Sequence, residues 1–255
     1  MRAGTRYPVP ASIGTNRRYC NPMACLTLYF LIQNFSNLPD DDRWLAPDER
    51  LRAAGFRFSK RRNEWLLGRW TAKQALRSFL TLHGRRAPDF TALEIRSAPD
   101  GAPEAFLGTG PAPVSLALSH SDGQGFCVIA PPGVAVGCDV EAVLRRDLAF
   151  LEDYFVDEER SLMAQAQAEA RPLLATLIWS AKESALKCLR EGLRRDTRSV
   201  HVHLGEEGKS GWNAMTVQCL QSSRLFHGWW RNIGTEYVQT VAAGSPAQEP
   251  VELAI

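Results

Sequence analysis

The chain has 255 residues, 45% hydrophobic and 23% charged, which suits one large core or two small ones and excludes disorder as the main state. Thirty basic and 28 acidic residues leave a formal charge of +2, too balanced for a protein that coats nucleic acid. The longest apolar run, Met23 to Ile32, holds ten residues, about half a membrane span.

Residues 1–22 are rich in Arg, Asn, Pro and Gly, show no hydrophobic period and read as a mobile extension. Basic residues precede the Met23–Ile32 run, as in a signal peptide. Gln33 to Asn37 offers no small-residue cleavage site, however, so the run reads as a first core strand over Cys25–Ile32. Met23, directly before that strand, is an alternative start. Pro47-Asp48-Glu49-Arg50 opens a short helix, with Pro and acids in its first turn. A basic cluster follows at Arg57, Lys60, Arg61 and Arg62. The next helix is expected from about Asn63, as its cap, to Leu82, with His83-Gly84 as its stop. Pro99 to Pro103 is a turn.

Strands Val114–Leu118 and Phe126–Ala130 flank Ser119-His120-Ser121-Asp122-Gly123, and Pro131-Pro132-Gly133 leads into a further apolar strand, Val134–Val140. Helical stretches are expected at Asp157–Ala170 and Pro172–Glu191, then strands near Val200–Leu204, Ala214–Leu220 and Tyr237–Ala242. Helices and strands do not alternate strictly, so the class is α+β. Six cysteines (Cys20, Cys25, Cys127, Cys138, Cys188 and Cys219) form no C-x-x-C pair. They read as reduced thiols of a cytoplasmic protein.

The sequence also echoes itself. Trp70-Thr71-Ala72-Lys73-Gln74-Ala75-Leu76 parallels Trp179-Ser180-Ala181-Lys182-Glu183-Ser184-Ala185, 109 positions later, and strands follow each stretch. This predicts two similar halves, 23–133 and 134–255. Gln74 stands where the second copy has Glu183. A cation held by the carboxylate of one copy is therefore not held equally by the other.

Three groups of residues can carry chemistry. In Gly137-Cys138-Asp139-Val140-Glu141, strand alternation points Asp139 and Glu141 the same way. Such a pair either is solvated at a strand end or holds a hard dication. On the following helix, Trp179, Glu183 and Lys187 share one side, opposite an apolar arc through Leu177, Ile178, Ala181 and Ala185. That side is either an exposed salt pair or the wall of a cleft. His120 between two serines can donate to phosphate oxygens or serve a structural bond. A Ser-His-Asp reading through Asp122 or Asp139 lacks the nucleophile elbow G-x-S-x-G, and no Walker A or G-x-G-x-x-G cradle is present.

Together these pieces resemble the 4′-phosphopantetheinyl transferase superfamily. Its motifs G-x-D-x-E and, about 40 residues on, W-x-x-K-E-x-x-x-K match Gly137–Glu141 and Trp179–Lys187. Further likeness lies in Arg57–Gly68, in Leu118-Ser119-His120-Ser121, and in Tyr154-Phe155 with Glu159. Where the family often has G-K-P, this chain has Gly101-Ala102-Pro103. The length and the echo resemble the large surfactin-synthetase-activating branch, with two similar halves about a pseudo-two-fold axis and the active site at their junction.

The resemblance implies transfer of the phosphopantetheine arm of coenzyme A to a serine of an acyl or peptidyl carrier protein, releasing 3′,5′-ADP. It implies Mg²⁺ or Mn²⁺ on Asp139, Glu141 and Glu183, and Lys187 beside the phosphates. Ser119 and His120 would meet a coenzyme A phosphate, and Lys60, Arg61 and Arg62 the 3′-phosphate. Glu183 would also accept the serine proton; Lys182 receives no role. Docking of the carrier is expected along Glu152–Ala170. The expected protein is a cytoplasmic monomer without nucleic-acid or membrane partners. The alternatives are a carrier-binding homologue with reduced turnover and a metal-dependent enzyme on another coenzyme A or nucleotide substrate.

Overall fold

The structure is a computed structural model that describes residues 26–205, 208 and 211–255. The expected extension 1–22, Met23, Cys20 and Cys25 lie outside the described residues. In chain order the elements are β1 (Tyr29–Asn34), α1 (Pro47–Ala54), α2 (Ser59–Leu82), β2 (Leu93–Ser97), β3 (Pro103–Leu107), β4 (Gly110–Pro111), β5 (Ser115–Ser121) and β6 (Gln124–Ala130). Then come β7 (Val136–Ala142), α3 (Leu148–Tyr154), α4 (Asp157–Gln165), α5 (Arg171–Cys188), β8 (Val200–Leu204), β9 (Asn213–Cys219), β10 (Leu225–Ile233), β11 (Tyr237–Ala243) and β12 (Val251–Glu252).

Two sheets lie back to back between two long helices. The first has strand order β12-β1-β6-β5, the second β7-β11-β10-β9-β8, and β2-β3-β4 forms a small third sheet. Alternation in β6 shows how the layers arise. Cys127 and Ile129 pack with Ala72, Leu76 and Phe79 of α2. Phe126, Val128 and Ala130 face the other way, against Val136, Cys138 and Val140 of β7. A third core joins α5 to the far face of the second sheet through Ile178, Ala185, Val217 and Phe226. β6 is therefore apolar on both faces, which explains its unbroken Phe-Cys-Val-Ile-Ala run. The tail crosses back: β12 pairs parallel with β1, and Leu26 donates its N–H to Pro246 O at 3.1 Å.

The echoed helices are anchored alike. Glu49 of α1 accepts from the N–H groups of Ala46 and Ile95 and pairs with buried Lys73, whose Nζ donates to Trp44 O and Phe90 O. Glu159 of α4 accepts from Val156 and Val202 and pairs with buried Lys182, which donates to Thr197 O and Val200 O. Lys182 is thus a structural cation. Burial lowers the pKa of both lysines.

Several boundaries differ from expectation. α2 starts at Ser59, so Asn63 is inside the helix and not its cap. Lys60, Arg61 and Arg62 are good helix formers, and nothing in that stretch interrupts them. α4 ends at Gln165, short of Ala170, where Arg171 donates to the carbonyls of Ala164 and Ala166. α5 ends at Cys188, because Arg190 turns left-handed at φ 59°. The short strands β2 and β3, the helix α3 and the long strand β10 are additional to the elements expected from the sequence. No described helix is long and apolar enough to cross a membrane. Cys127, Cys138, Cys188 and Cys219 are buried free thiols.

Candidate functional site

The edge strand of each long sheet meets the other beside α5. Strand β7 approaches α5 closely at Gly137, where any Cβ would fall on Ser184 O and crowd Cys188 N. Small hydroxyls line the same contact: Ser180 and Ser184 both bond the Thr240 hydroxyl of β11, at 2.9 and 2.7 Å. This close packing brings Lys187 onto β7. Its Nζ donates to Asp139 Oδ1 at 2.7 Å, Cys138 O at 2.9 Å and Ser119 Oγ at 3.1 Å, and lies 3.7 Å from Glu183 Oε2. Ser119, from β5 of the first sheet, donates to Asp139 Oδ1 at 2.7 Å.

The second Asp139 oxygen, Oδ2, is buried with no hydrogen-bond partner among the described residues. Buried carboxylate oxygens are normally satisfied, so an orphan marks a place for a missing cation or donor. Burial, then the charges of Asp139 and Glu183, push Glu141 up to about 7. Burial, then Asp139, push Glu183 up to about 7 as well. Burial opposes the charge on Lys187, yet Asp139 and Glu183 outweigh it and hold its pKa above the ordinary value. The site thus carries more negative charge than Lys187 neutralises. Arg146, stacked over the Phe150 ring at 4.5 Å, lies 3.8 Å from Glu141 Oε2 and gives partial relief. Phe150 and Tyr154 of α3 pack edge-on against Trp179, each at 5.1 Å. The tryptophan is therefore buried on its neighbours while Glu183 and Lys187, further along the same face, turn into the site.

The donor chemistry fits a hard dication: carboxylate oxygens, one of them orphaned, in a group short of positive charge. Among the described residues no three His, Cys, Asp or Glu side chains are gathered as tightly as a bound metal would hold them. Asp139 Oδ1 is spent on Ser119 and Lys187 instead.

Other expected site residues fall less centrally. His120 keeps an exposed edge, and partial desolvation lowers its pKa. It lies beside Gly68 of α2, where a Cβ would come 3.6 Å from the ring. Lys60 and Arg61 are exposed on the first turns of α2. Arg62 lines a recess with Asp40, Asp41 and Asp42. No hydrogen bond or ion pair among the described residues links these three cations to Ser119, His120 or Lys187. A cavity of about 700 Å³ opens beside Lys187, between the Asp100–Phe106 segment, β5 and the Gly133–Val136 turn. Sequence reasoning missed it, together with Arg146, Arg190 and Arg194, because only the fold brings them to the site.

Residues 135–242 match the family model of the 4′-phosphopantetheinyl transferase superfamily. The match runs from β7 to β11 and takes in Asp139, Glu141, Glu183 and Lys187; β1 to β6, and Ser119 with them, lie outside it. The superfamily is thus supported on the segment that carries the candidate site. Among solved structures, a holo-(acyl-carrier-protein) synthase from Bacillus anthracis str. Ames in complex with CoA (3′,5′-ADP) aligns at 24% identity. That alignment covers 42% of this chain and 97% of the other, with a TM-score of 0.35. No curated protein matches the chain.

Proposed function

We propose that the protein transfers the 4′-phosphopantetheine arm of coenzyme A to a serine of an acyl or peptidyl carrier protein. The observation that carries this reading is the meeting of Asp139, Glu183, Lys187 and Ser119 beside a cavity of about 700 Å³, within ligand-pocket dimensions. The family match over residues 135–242 supports it. The serine hydroxyl of the carrier would attack the β-phosphorus of coenzyme A. An O–P bond forms, the bond from that phosphorus to the bridging oxygen breaks, and 3′,5′-ADP leaves with the bridging oxygen. Such a reaction is accelerated chiefly by positioning and charge neutralisation.

Lys187 would neutralise phosphoryl charge, and Ser119 and His120 would donate to phosphate oxygens. Glu183 would take the serine proton. Asp139, Glu141 and Glu183 would hold Mg²⁺, which supplies charge neutralisation at the pyrophosphate. Lys60, Arg61 and Arg62 remain the proposed contacts of the 3′-phosphate. They gain no support from geometry, since Arg62 faces an acidic loop.

We further propose that the halves 23–133 and 134–255 are related by a pseudo-two-fold axis, as in the large surfactin-synthetase-activating branch. The paired anchors Glu49–Lys73 and Glu159–Lys182 support it. So do equivalent strand positions. Gln33 pairs with Gly125, which Thr71 crowds, as Asp139 pairs with Thr240, which Ser180 bonds. The first half then holds Gln33 and Gln74 where the second holds Asp139 and Glu183, and neutral amides are poor ligands for Mg²⁺. The test is a mass measurement of candidate carrier proteins after incubation with the enzyme, coenzyme A and Mg²⁺. A gain of one phosphopantetheine arm is expected; no gain on any carrier, with coenzyme A bound, would overturn the transferase reading.

A further inference from the structure

The cavity beside Lys187 is walled on its outer side by contacts that cross between the sheets. Arg190, just past α5, donates from Nε to Asp100 Oδ2 at 2.6 Å, and from Nη2 to Asp100 Oδ1 at 3.2 Å and Glu104 Oε1 at 3.0 Å. Arg194 donates from Nη1 to Asp100 O at 2.8 Å and from Nη2 to Arg190 O at 2.7 Å. Asp100 in turn accepts from the Ala102 N–H at 3.0 Å, so the two arginines grip the tight turn from Ala98 to Pro103 that connects β2 and β3. Arg190, Arg194, Asp100 and Glu104 all line the same cavity as Lys187.

Two features separate this clasp from ordinary surface pairing. Arg190 sits at φ 59°, where glycine is favoured and a long side chain is uncommon. The side chains are also half open to water, Arg190 at 49% and Asp100 at 33%, so the pairs add little to folding. The left-handed backbone closes α5, and from it the Arg190 side chain reaches back to Asp100 and Glu104 at the rim of the cavity.

We propose that Arg190 and Arg194 are positioning residues for the nucleotide half of coenzyme A, holding the Ala98–Pro103 turn as the outer wall of the cavity that Lys187 borders. The inference rests on the transferase reading. It assigns a role to residues outside both sequence motifs. It also accounts for the turn being held although Ala102 brings no cation of its own.

The experiment measures binding of 3′,5′-ADP and coenzyme A to the full chain by calorimetry, with KM for coenzyme A, kcat and thermal midpoint alongside. Arg190→Gly removes the guanidinium and relaxes the backbone. Arg194→Ala removes the second grip. Asp100→Asn keeps an acceptor for the Ala102 N–H but loses the charged pair. Each variant should weaken both ligands by about tenfold, the order expected for losing a charge-assisted hydrogen bond, and raise KM alike. The thermal midpoint should stay near wild type, and kcat at saturation within about threefold.

Binding within twofold of wild type in Arg190→Gly and Arg194→Ala would overturn the inference. Tighter binding in Asp100→Asn would overturn it too, because a freed arginine would then act as a direct cation and not through the turn. Wild-type protein that binds neither ligand would overturn the transferase reading and this inference together, whereas ligand-binding wild type with unchanged variants overturns this inference alone.

Discussion

Replacing Glu183 by Gln should make the metal-free protein more stable at pH 8. Burial and Asp139 push Glu183 from 4.5 to about 7. At about 1.36 kcal/mol per pH unit, that gap sets an upper bound of roughly 3 kcal/mol on the cost of its charge. Glu141 shares the same repulsion, so part of the cost stays with the neighbour. Loss of the 3.7 Å pair with Lys187 subtracts a further ~0.5 kcal/mol. A net gain of about 1–2 kcal/mol follows, or a rise in Tm of roughly 2–8 °C for a chain of this size.

The sign depends on pH. A carboxylate whose folded pKa is raised binds its proton more tightly when folded. The wild-type stability therefore falls as pH rises from about 4.5 through about 7, and the difference between wild type and Glu183→Gln grows over that window. Thermal unfolding with a chelator at pH 8 and pH 5 measures it: the variant should lead at pH 8 and match wild type at pH 5. Saturating Mg²⁺ should raise the wild-type Tm and leave the variant nearly unmoved. A variant less stable than wild type at pH 8 without metal would refute the electrostatic reasoning.

Asp139→Ala should abolish transfer while keeping the far-ultraviolet dichroism of the wild type; retained turnover would remove Asp139 from the site. Gly137→Ala should cost at least about 2 kcal/mol in urea unfolding and displace α5, since the added carbon meets the backbone at Ser184 and Cys188. A neutral result would show that the helix can retreat. Lys182→Ala should cost about 3–5 kcal/mol by leaving Glu159 buried without its partner. Replacing Lys182 and Glu159 together by Met should recover part of that, which a double-mutant cycle in denaturant reads. Calorimetry should find one coenzyme A per chain, because Gln33 and Gln74 replace the acids in the first half; two equal sites would contradict the assignment.

Much of the site is legible in the chain because its residues obey local periods. Asp139 and Glu141 alternate with apolar Cys138 and Val140, and Glu183 and Lys187 are one helical turn apart, so each pair can be assigned a face without tertiary knowledge. The repeat of Trp-x-x-Lys falls on two helices, α2 and α5, each of which buries its lysine. Lys182 could not be assigned, since its partner Glu159 and the carbonyls of Thr197 and Val200 come from three other segments. β10 escaped notice because His227 to Arg231 contains Gly228 and two adjacent tryptophans, which blur the two-residue period. Arg190 and Asp100 meet across 90 residues, a contact with no sequence signal.

The return of β12 to β1 bears on the order in which the chain is made. During synthesis from the N-terminus, the first sheet can close its β1–β6–β5 pairing once residue 130 is available. The outer edge of β1 stays open until Val251 and Leu253 arrive to donate to Leu28 O and Phe30 O. Leu253 also fills the core under α2, and only 4% of it remains exposed. Until then a nascent chain carries an unpaired strand edge and a gap in its first core, and both are sites at which chains adhere to one another. Loss of residues 251–255 would leave that edge open, so soluble yield depends on Val251 and Leu253 far more than so short a strand suggests.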